Sequence, residues 1–199
     1  MSSTLLVALG YVLGSIPFAL ILVQRVGGID LRRMGSGNVG AANAFRTMGP
    51  IVGTGALALD VTKGALAVLL AQRLGGGEGS AVPAAAGLAA IAGHVYPVWL
   101  SFRGGKGVAT ACGVFAVLAP LATACAALVF VLTIWWTRYV SLGSMTGSVA
   151  LGPAAYVSGA PAAVVVGAAV AALMILERHR ANLERLWAGA ERRIGRGAR

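Results

Sequence analysis

Charge is scarce in this chain, and negative charge above all: 199 residues hold only six Asp and Glu, with 11% charged residues against 58% hydrophobic ones. With a mean hydropathy of +0.83, this shortage excludes an ordinary soluble enzyme, because the surface could not stay in water. The two cysteines, Cys112 and Cys125, lie in apolar sequence without metal-ligand spacing or Cys-x-x-Cys context. No metal site is expected from them, and both read as buried thiols. A charged leader is missing too. The first apolar run, Leu5 to Val23, has no basic n-region and is long enough to span a bilayer, so it reads as a retained span and not a cleaved signal.

Complete nucleotide-binding patterns are also lacking. Gly105-Lys106 would need Gly and Ser or Thr where Leu100 and Gly107 stand, which removes ATP or GTP binding. Gly35-x-Gly37-x-x-Gly40 matches the dinucleotide fingerprint, and Asp60 follows at about the right distance. Yet no strand precedes these glycines, and Asp60 sits inside an apolar run. No Ser-His-Asp arrangement is evident.

What the chain does have is long apolar runs separated by short cationic loops. The net charge of +10 is confined to those loops and a tail, so anionic lipid and anionic substrates are the expected partners, and nucleic acid is not. Span one is Leu5 to Val23, loosened by Gly14 and Pro17. A polar stretch from Gln24 to Pro50 is the longest loop. Span two, Ile51 to Leu70, carries Asp60 and Lys63 on one helix face, where they should neutralise each other, either as a functional pair or as a lock between helices. A glycine-rich turn from Gly75 to Ser80 leads to span three, Ala81 to Leu100, with His94 near its end as a packing residue or a proton carrier.

Val108 to Thr137 would be about 45 Å long as one helix, too long for one span and short for two. Pro120 near its middle favours a hairpin of two short spans. Val140 to Leu176 is broken at Gly152-Pro153 and at Ser158-Gly159-Ala160-Pro161, and reads as a second hairpin. The fold class is therefore an all-α, multi-pass membrane protein, a single domain over 1–199, with seven transmembrane helices. Of the sixteen Lys and Arg residues, all but Lys63 and Arg73 then fall on one side, which the positive-inside tendency makes cytoplasmic, with the N-terminus outside. The basic, partly amphipathic tail from Glu177 ends, from Arg192 on, in a solvated or lipid-facing segment.

The chemistry is concentrated in Ser101-Phe102-Arg103-Gly104-Gly105-Lys106-Gly107-Val108. Glycines let backbone N–H groups approach an anion, and Arg and Lys add full charges, so this segment suits phosphate at a membrane surface. A basic cytoplasmic turn that merely orients the chain would look similar. Other cytoplasmic segments carry polar groups that a simple turn does not need. They are Ser36, Asn38, Asn43 and Arg46; then the two hydroxyls of Ser141 and Ser144 after Arg138; then Arg178, His179, Arg180 and Asn182. Together they could line one anionic pocket.

Three segments resemble the motifs of the bacterial acyl-phosphate:glycerol-3-phosphate acyltransferases, the PlsY type. They are Gly35-Ser36-Gly37-Asn38-Val39-Gly40-Ala41-Ala42-Asn43-Ala44-Phe45-Arg46, then Gly93-His94-Val95-Tyr96-Pro97 through Gly104-Gly105-Lys106-Gly107-Val108-Ala109-Thr110, and Arg178-His179-Arg180-Ala181-Asn182-Leu183-Glu184-Arg185-Leu186. Ala42 and Ala181 depart from residues often polar in that family. The resemblance implies a bacterial plasma-membrane enzyme that moves a fatty acyl group from acyl phosphate to the sn-1 hydroxyl of glycerol 3-phosphate, yielding lysophosphatidic acid and phosphate without a cofactor. It implies Ser36, Arg46, Lys106, His179 and Asn182 as catalytic residues. Gly37, Asn38, Arg103, Gly104, Gly105, Gly107 and Ser144 would help to bind substrate. The implied partners are the two substrates, membrane lipid and a soluble enzyme that makes acyl phosphate, and a monomer suffices. His179 or the substrate's own phosphate could take the hydroxyl proton. An organic-phosphate transporter is the alternative, but it should present ionisable groups to both faces, and here they crowd one.

Overall fold

Proline and glycine decide where the apolar runs become helices. The computed structural model describes residues 1–76 and 81–195, and the described residues fold into helices joined by turns, with no strand among them. The chain divides into two compact units, Met1–Leu118 and Ala119–Arg199.

In the first unit, α1 (Ser3–Gly14) and α2 (Phe18–Gly27) are separated by Ser15, Ile16 and Pro17. Pro17 has no N–H to donate, so the expected loosening of span one is a complete break. After Gly28, in the left-handed region at φ 64°, a 3-10 turn spans Leu31–Arg33. Helix α3 then runs from Ala41 to Ala71. The polar stretch is thus not one loop from Gln24 to Pro50: α2 reaches Gly27, and Arg46 lies on a helix. The Ala41-Ala42-Asn43-Ala44 sequence is helix-forming, and Pro50 is accommodated by a kink at Gly49, whose φ of 79° is open to glycine.

A π-helical turn at Gln72–Gly76 ends this segment, and the remainder of the expected Gly75–Ser80 turn, residues 77–80, lies outside the described residues. Helix α4 (Ala81–Val95), a 3-10 turn (Val98–Leu100) and α5 (Val108–Leu118) complete the unit. Small residues set its packing. A Cβ on Gly14 would collide with the carbonyl of Ala90 on α4, and one on Gly64 with the carbonyl of Thr110 on α5. Such backbone proximity brings helices together where lipid supplies no hydrophobic drive.

The second unit begins with α6 (Pro120–Thr137), Pro120 standing at the first turn, where its missing N–H costs nothing. Helix α7 (Val140–Val157) continues through Gly152-Pro153, so the break expected there is absent. The chain turns only beyond it, where Gly159 has φ 73° and Pro161 precedes α8 (Ala162–Arg178). Pro153 is accommodated within the apolar helix, and the helix ends where left-handed Gly159 comes just before Pro161. Ser141, Gly143, Ser144, Gly147 and Ser148 form the buried face of α7, and Thr133 of α6 bonds Thr146 of α7 hydroxyl to hydroxyl at 3.0 Å. Helix α9 (Arg180–Trp187) follows α8 after a 58° bend.

The chain is a multi-pass membrane protein by these elements. The expected apolar runs are largely helical, with span one interrupted at Ser15, Ile16 and Pro17, and among the described residues fewer than the expected seven are long and apolar enough to span on their own. By length and composition, Ser3–Gly27, Ala41–Gly75, Ala81–Leu100 and Pro120–Thr137 can cross a bilayer, with the bent pair α8–α9 as a fifth. Both cysteines are exposed and not buried. On an apolar helix of a membrane protein the outer surface is lipid-facing, and a thiol is as acceptable there as in a core.

Candidate active site

Asn43 organises the first cationic loop. Its side chain, 1% exposed, donates from Nδ2 to the carbonyls of Leu31, Met34 and Asn38 at 3.2, 2.9 and 2.9 Å. Its Oδ1 accepts the Ser36 N–H at 2.9 Å. One amide therefore shapes the whole 31–38 segment, with Gly35 and Gly37 in left-handed turns at φ 58° and 71°. Asn38 Oδ1 accepts the Gly40 N–H at 2.9 Å as α3 begins. Ser36 stands exposed at the tip, and Arg46 is exposed one turn beyond Asn43. Arg32 pairs with Asp30, from Nη2 to Oδ2 at 2.9 Å. The side-chain and backbone hydrogen bonds of Arg32 pull the Asp30 carboxyl down to about 2.

The second loop reverses through Ser101 and Phe102, two non-glycine residues at φ 50° and 62°. The returning chain pairs with the end of α4: Gly104 N–H donates to Val95 O and Gly105 N–H to His94 O, each at 3.0 Å. These two glycines were expected to offer N–H groups to an anion, and here those groups bond to carbonyls. The reason for glycine is proximity. A Cβ at Gly104 would strike the His94 carbonyl, and one at Gly105 the His94 imidazole. Lys106 is half-buried, Arg103 exposed, and Gly107, at φ 85°, leads into α5.

Beneath this loop the expected pair is formed: Lys63 Nζ lies 2.8 Å from Asp60 Oδ1, and His94 Nδ1 is 3.5 Å from the same oxygen. A small cavity here is lined by Val39 of the first motif and Gly105 of the second, so the two motifs meet.

Ser144, His179 and Asn182 belong to the second unit, and all three are buried. Ser144 Oγ donates to Val140 O at 2.9 Å. His179 sits at the bend between α8 and α9, its Nδ1 2.7 Å from Ile175 O. A carbonyl only accepts, so Nδ1 carries a hydrogen and donates to it. Asn182 is held by Glu191, a residue the sequence alone did not single out. Glu191 Oε1 accepts from Asn182 Nδ2 at 2.8 Å and from Ser141 Oγ at 3.1 Å. Its Oε2 accepts from Arg185 Nε at 2.7 Å. Burial raises the Glu191 carboxyl, but the bonds from Asn182, Arg185 and Ser141 outweigh it and keep the group below its ordinary value. Glu191 is one of three glutamates in the basic tail, with Glu177 and Glu184, and nothing in the linear order sets it apart. Residues 192–195 are exposed as expected, yet tethered: Arg193 Nε donates to Tyr139 Oη at 2.8 Å, and Ile194 N–H to Arg138 O at 2.9 Å. Residues 196–199 lie outside the described residues.

Residues 4–189 match the family model for glycerol-3-phosphate acyltransferase. A glycerol-3-phosphate acyltransferase of Synechococcus sp. (strain CC9902) is 48% identical over 196 residues, 98% of this chain and 96% of its own. That of Myxococcus xanthus (strain DK1622) is 48% identical over 190 residues, 95% of this chain and 98% of its own. Among solved structures, the integral membrane glycerol 3-phosphate acyltransferase PlsY (YgiH), in its glycerol 3-phosphate form, superposes with a TM-score of 0.92 at 41% identity, covering 98% of this chain and 96% of that one. Its lysophosphatidic acid form gives 0.91 at 40% identity over the same shares.

Proposed function

The chain belongs to the glycerol-3-phosphate acyltransferase family, and from this premise we propose that it acylates the sn-1 hydroxyl of glycerol 3-phosphate with acyl phosphate as donor. The observation that carries this is the full-length likeness to one membrane enzyme in both its glycerol 3-phosphate and its lysophosphatidic acid forms. Organic-phosphate transport finds no support in these matches.

Both substrates carry phosphate, and their repulsion opposes the reaction. Arg46 and Lys106 offset it with fixed positive charge, with the amino end of α5 beside Lys106 adding a partial one. Arg103, exposed at the loop, adds to the attraction. Ser36, Gly37, Asn38, Ser144, His179 and Asn182 orient glycerol 3-phosphate, while Gly104, Gly105 and Gly107 shape the Lys106 segment. The hydroxyl oxygen forms a bond to the acyl carbonyl carbon as the carbon–phosphate oxygen bond breaks, and phosphate leaves. Acyl phosphate is a mixed anhydride with a good leaving group, so no acyl-enzyme is required, and positioning supplies most of the rate. The hydroxyl proton passes to the substrate's own phosphate, whose second pKa is about 6, and His179 positions the hydroxyl.

The chain would act as one catalytic domain over 1–199, a monomer in the bacterial plasma membrane with its N-terminus outside and its cationic loops in the cytoplasm, where a soluble enzyme delivers acyl phosphate. Purified protein in detergent, given glycerol 3-phosphate and either acyl phosphate or acyl-CoA, should form lysophosphatidic acid from acyl phosphate alone. Product from acyl-CoA alone would overturn the donor assignment.

A further inference from the structure

Three ionisable side chains are buried together in the first unit, and no step of the proposed reaction uses them. Asp60, Lys63 and His94 are 1%, 3% and 8% exposed. Charges in a membrane span are costly, and apolar residues of similar volume would commonly give equal or better stability. Stability alone therefore does not account for their presence.

The contacts indicate their task. Lys63 Nζ donates to Ile16 O at 2.8 Å, a carbonyl at the break between α1 and α2, and lies 5.6 Å from the Phe18 ring centre. Asp60 meets Lys63 Nζ and His94 Nδ1 at one oxygen, Oδ1, at 2.8 and 3.5 Å. His94 then engages Gly105 twice. Its carbonyl accepts the Gly105 N–H, and its imidazole fills the space that a side chain at Gly105 would need. A continuous path of contacts thus runs from the helix break, through Lys63, Asp60 and His94, to the residue preceding Lys106.

We infer that Asp60, Lys63 and His94 form a positioning cluster that sets the Gly104-Gly105 segment, and with it the place of Lys106, against the α1–α2 break. The assignment rests on the proposed role of Lys106 in holding substrate phosphate. Asp60 orients the His94 ring, the ring and carbonyl of His94 fix Gly105, and Lys63 ties the assembly to the only irregular backbone of the first span. None of the three needs to touch substrate.

The test uses the full-length enzyme in detergent, with thermal unfolding measured beside kcat and the KM for glycerol 3-phosphate. The variants are His94→Leu, His94→Asn, the charge-neutral double variant Asp60→Asn with Lys63→Met, and Lys106→Ala. Since a misplacement of about 1 Å can cost about 100-fold, His94→Leu and the double variant should fold and raise KM about tenfold or more. His94→Asn, which keeps a polar side-chain group near the position of Nδ1, should recover most of that loss. Folded His94→Leu and double variants with wild-type KM, or losses that follow only the folded fraction, would overturn the positioning role, as would failure of every cluster variant to fold. Full activity of Lys106→Ala would instead overturn the reading of Lys106 on which the cluster's role depends.

Discussion

Asn182 Nδ2 lies 2.8 Å from Glu191 Oε1, so a carboxylate nine residues away sets the direction of an amide that we propose binds substrate. Glu191→Ala removes the acceptor shared by Asn182, Ser141 and Arg185. It should lower stability by about 2–3 kcal/mol, as expected when a charged hydrogen-bond acceptor is lost and its donors are left behind, and activity should fall with it. Thermal unfolding in detergent beside an acyl-transfer assay would show both.

The same residue predicts a pH dependence. The Glu191 carboxyl is held below its ordinary value of 4.5 in the folded protein, so the unfolded chain binds its proton first as pH falls. Its stabilising contribution is fully present above about pH 4.5 and disappears as pH drops through the lower folded value. Glu191→Gln, uncharged throughout, should show a flatter loss of stability in this acid range than the wild type.

Asn43 predicts an asymmetry between two substitutions. Asn43→Ala leaves the Leu31, Met34 and Asn38 carbonyls and the Ser36 N–H without their shared partner, and the loop carrying Ser36 should lose its shape, costing about 100-fold in kcat/KM. Asn43→Asp, although closer in size, turns an anionic oxygen toward three carbonyl oxygens and should be no better. An Asp variant with wild-type activity would contradict the geometry.

Gly104→Ala and Gly105→Ala should both impair turnover, but unequally. At 104 the new methyl meets a main-chain carbonyl, which cannot move aside, whereas at 105 it meets the end of the His94 side chain. Gly104→Ala is expected to lose at least about tenfold more activity, read in parallel assays at equal amounts of folded protein.

His179→Asn separates two destinations for the proton. If substrate phosphate is the base, the variant should turn over about 100-fold more slowly while keeping the pH profile of the wild type. Loss of the acidic limb of that profile would make His179 the base.

Hydropathy alone determined that this is a helical membrane protein, because a bilayer admits a chain of this composition only as apolar helices with satisfied backbones. The three polar motifs were legible for a similar reason, since glycines and cations have no place between apolar runs unless the backbone or a ligand requires them. What the linear order could not reveal was which partner each polar group would choose. Gly104 and Gly105 turned their N–H groups to α4, Asn43 became the centre of the Ser36 loop, and Glu191 came to hold Asn182. Pro17 broke a helix and Pro153 did not, although the two are alike in sequence. Hydrogen bonds and close packing between distant residues decide such outcomes, and those contacts exist only once the chain is folded.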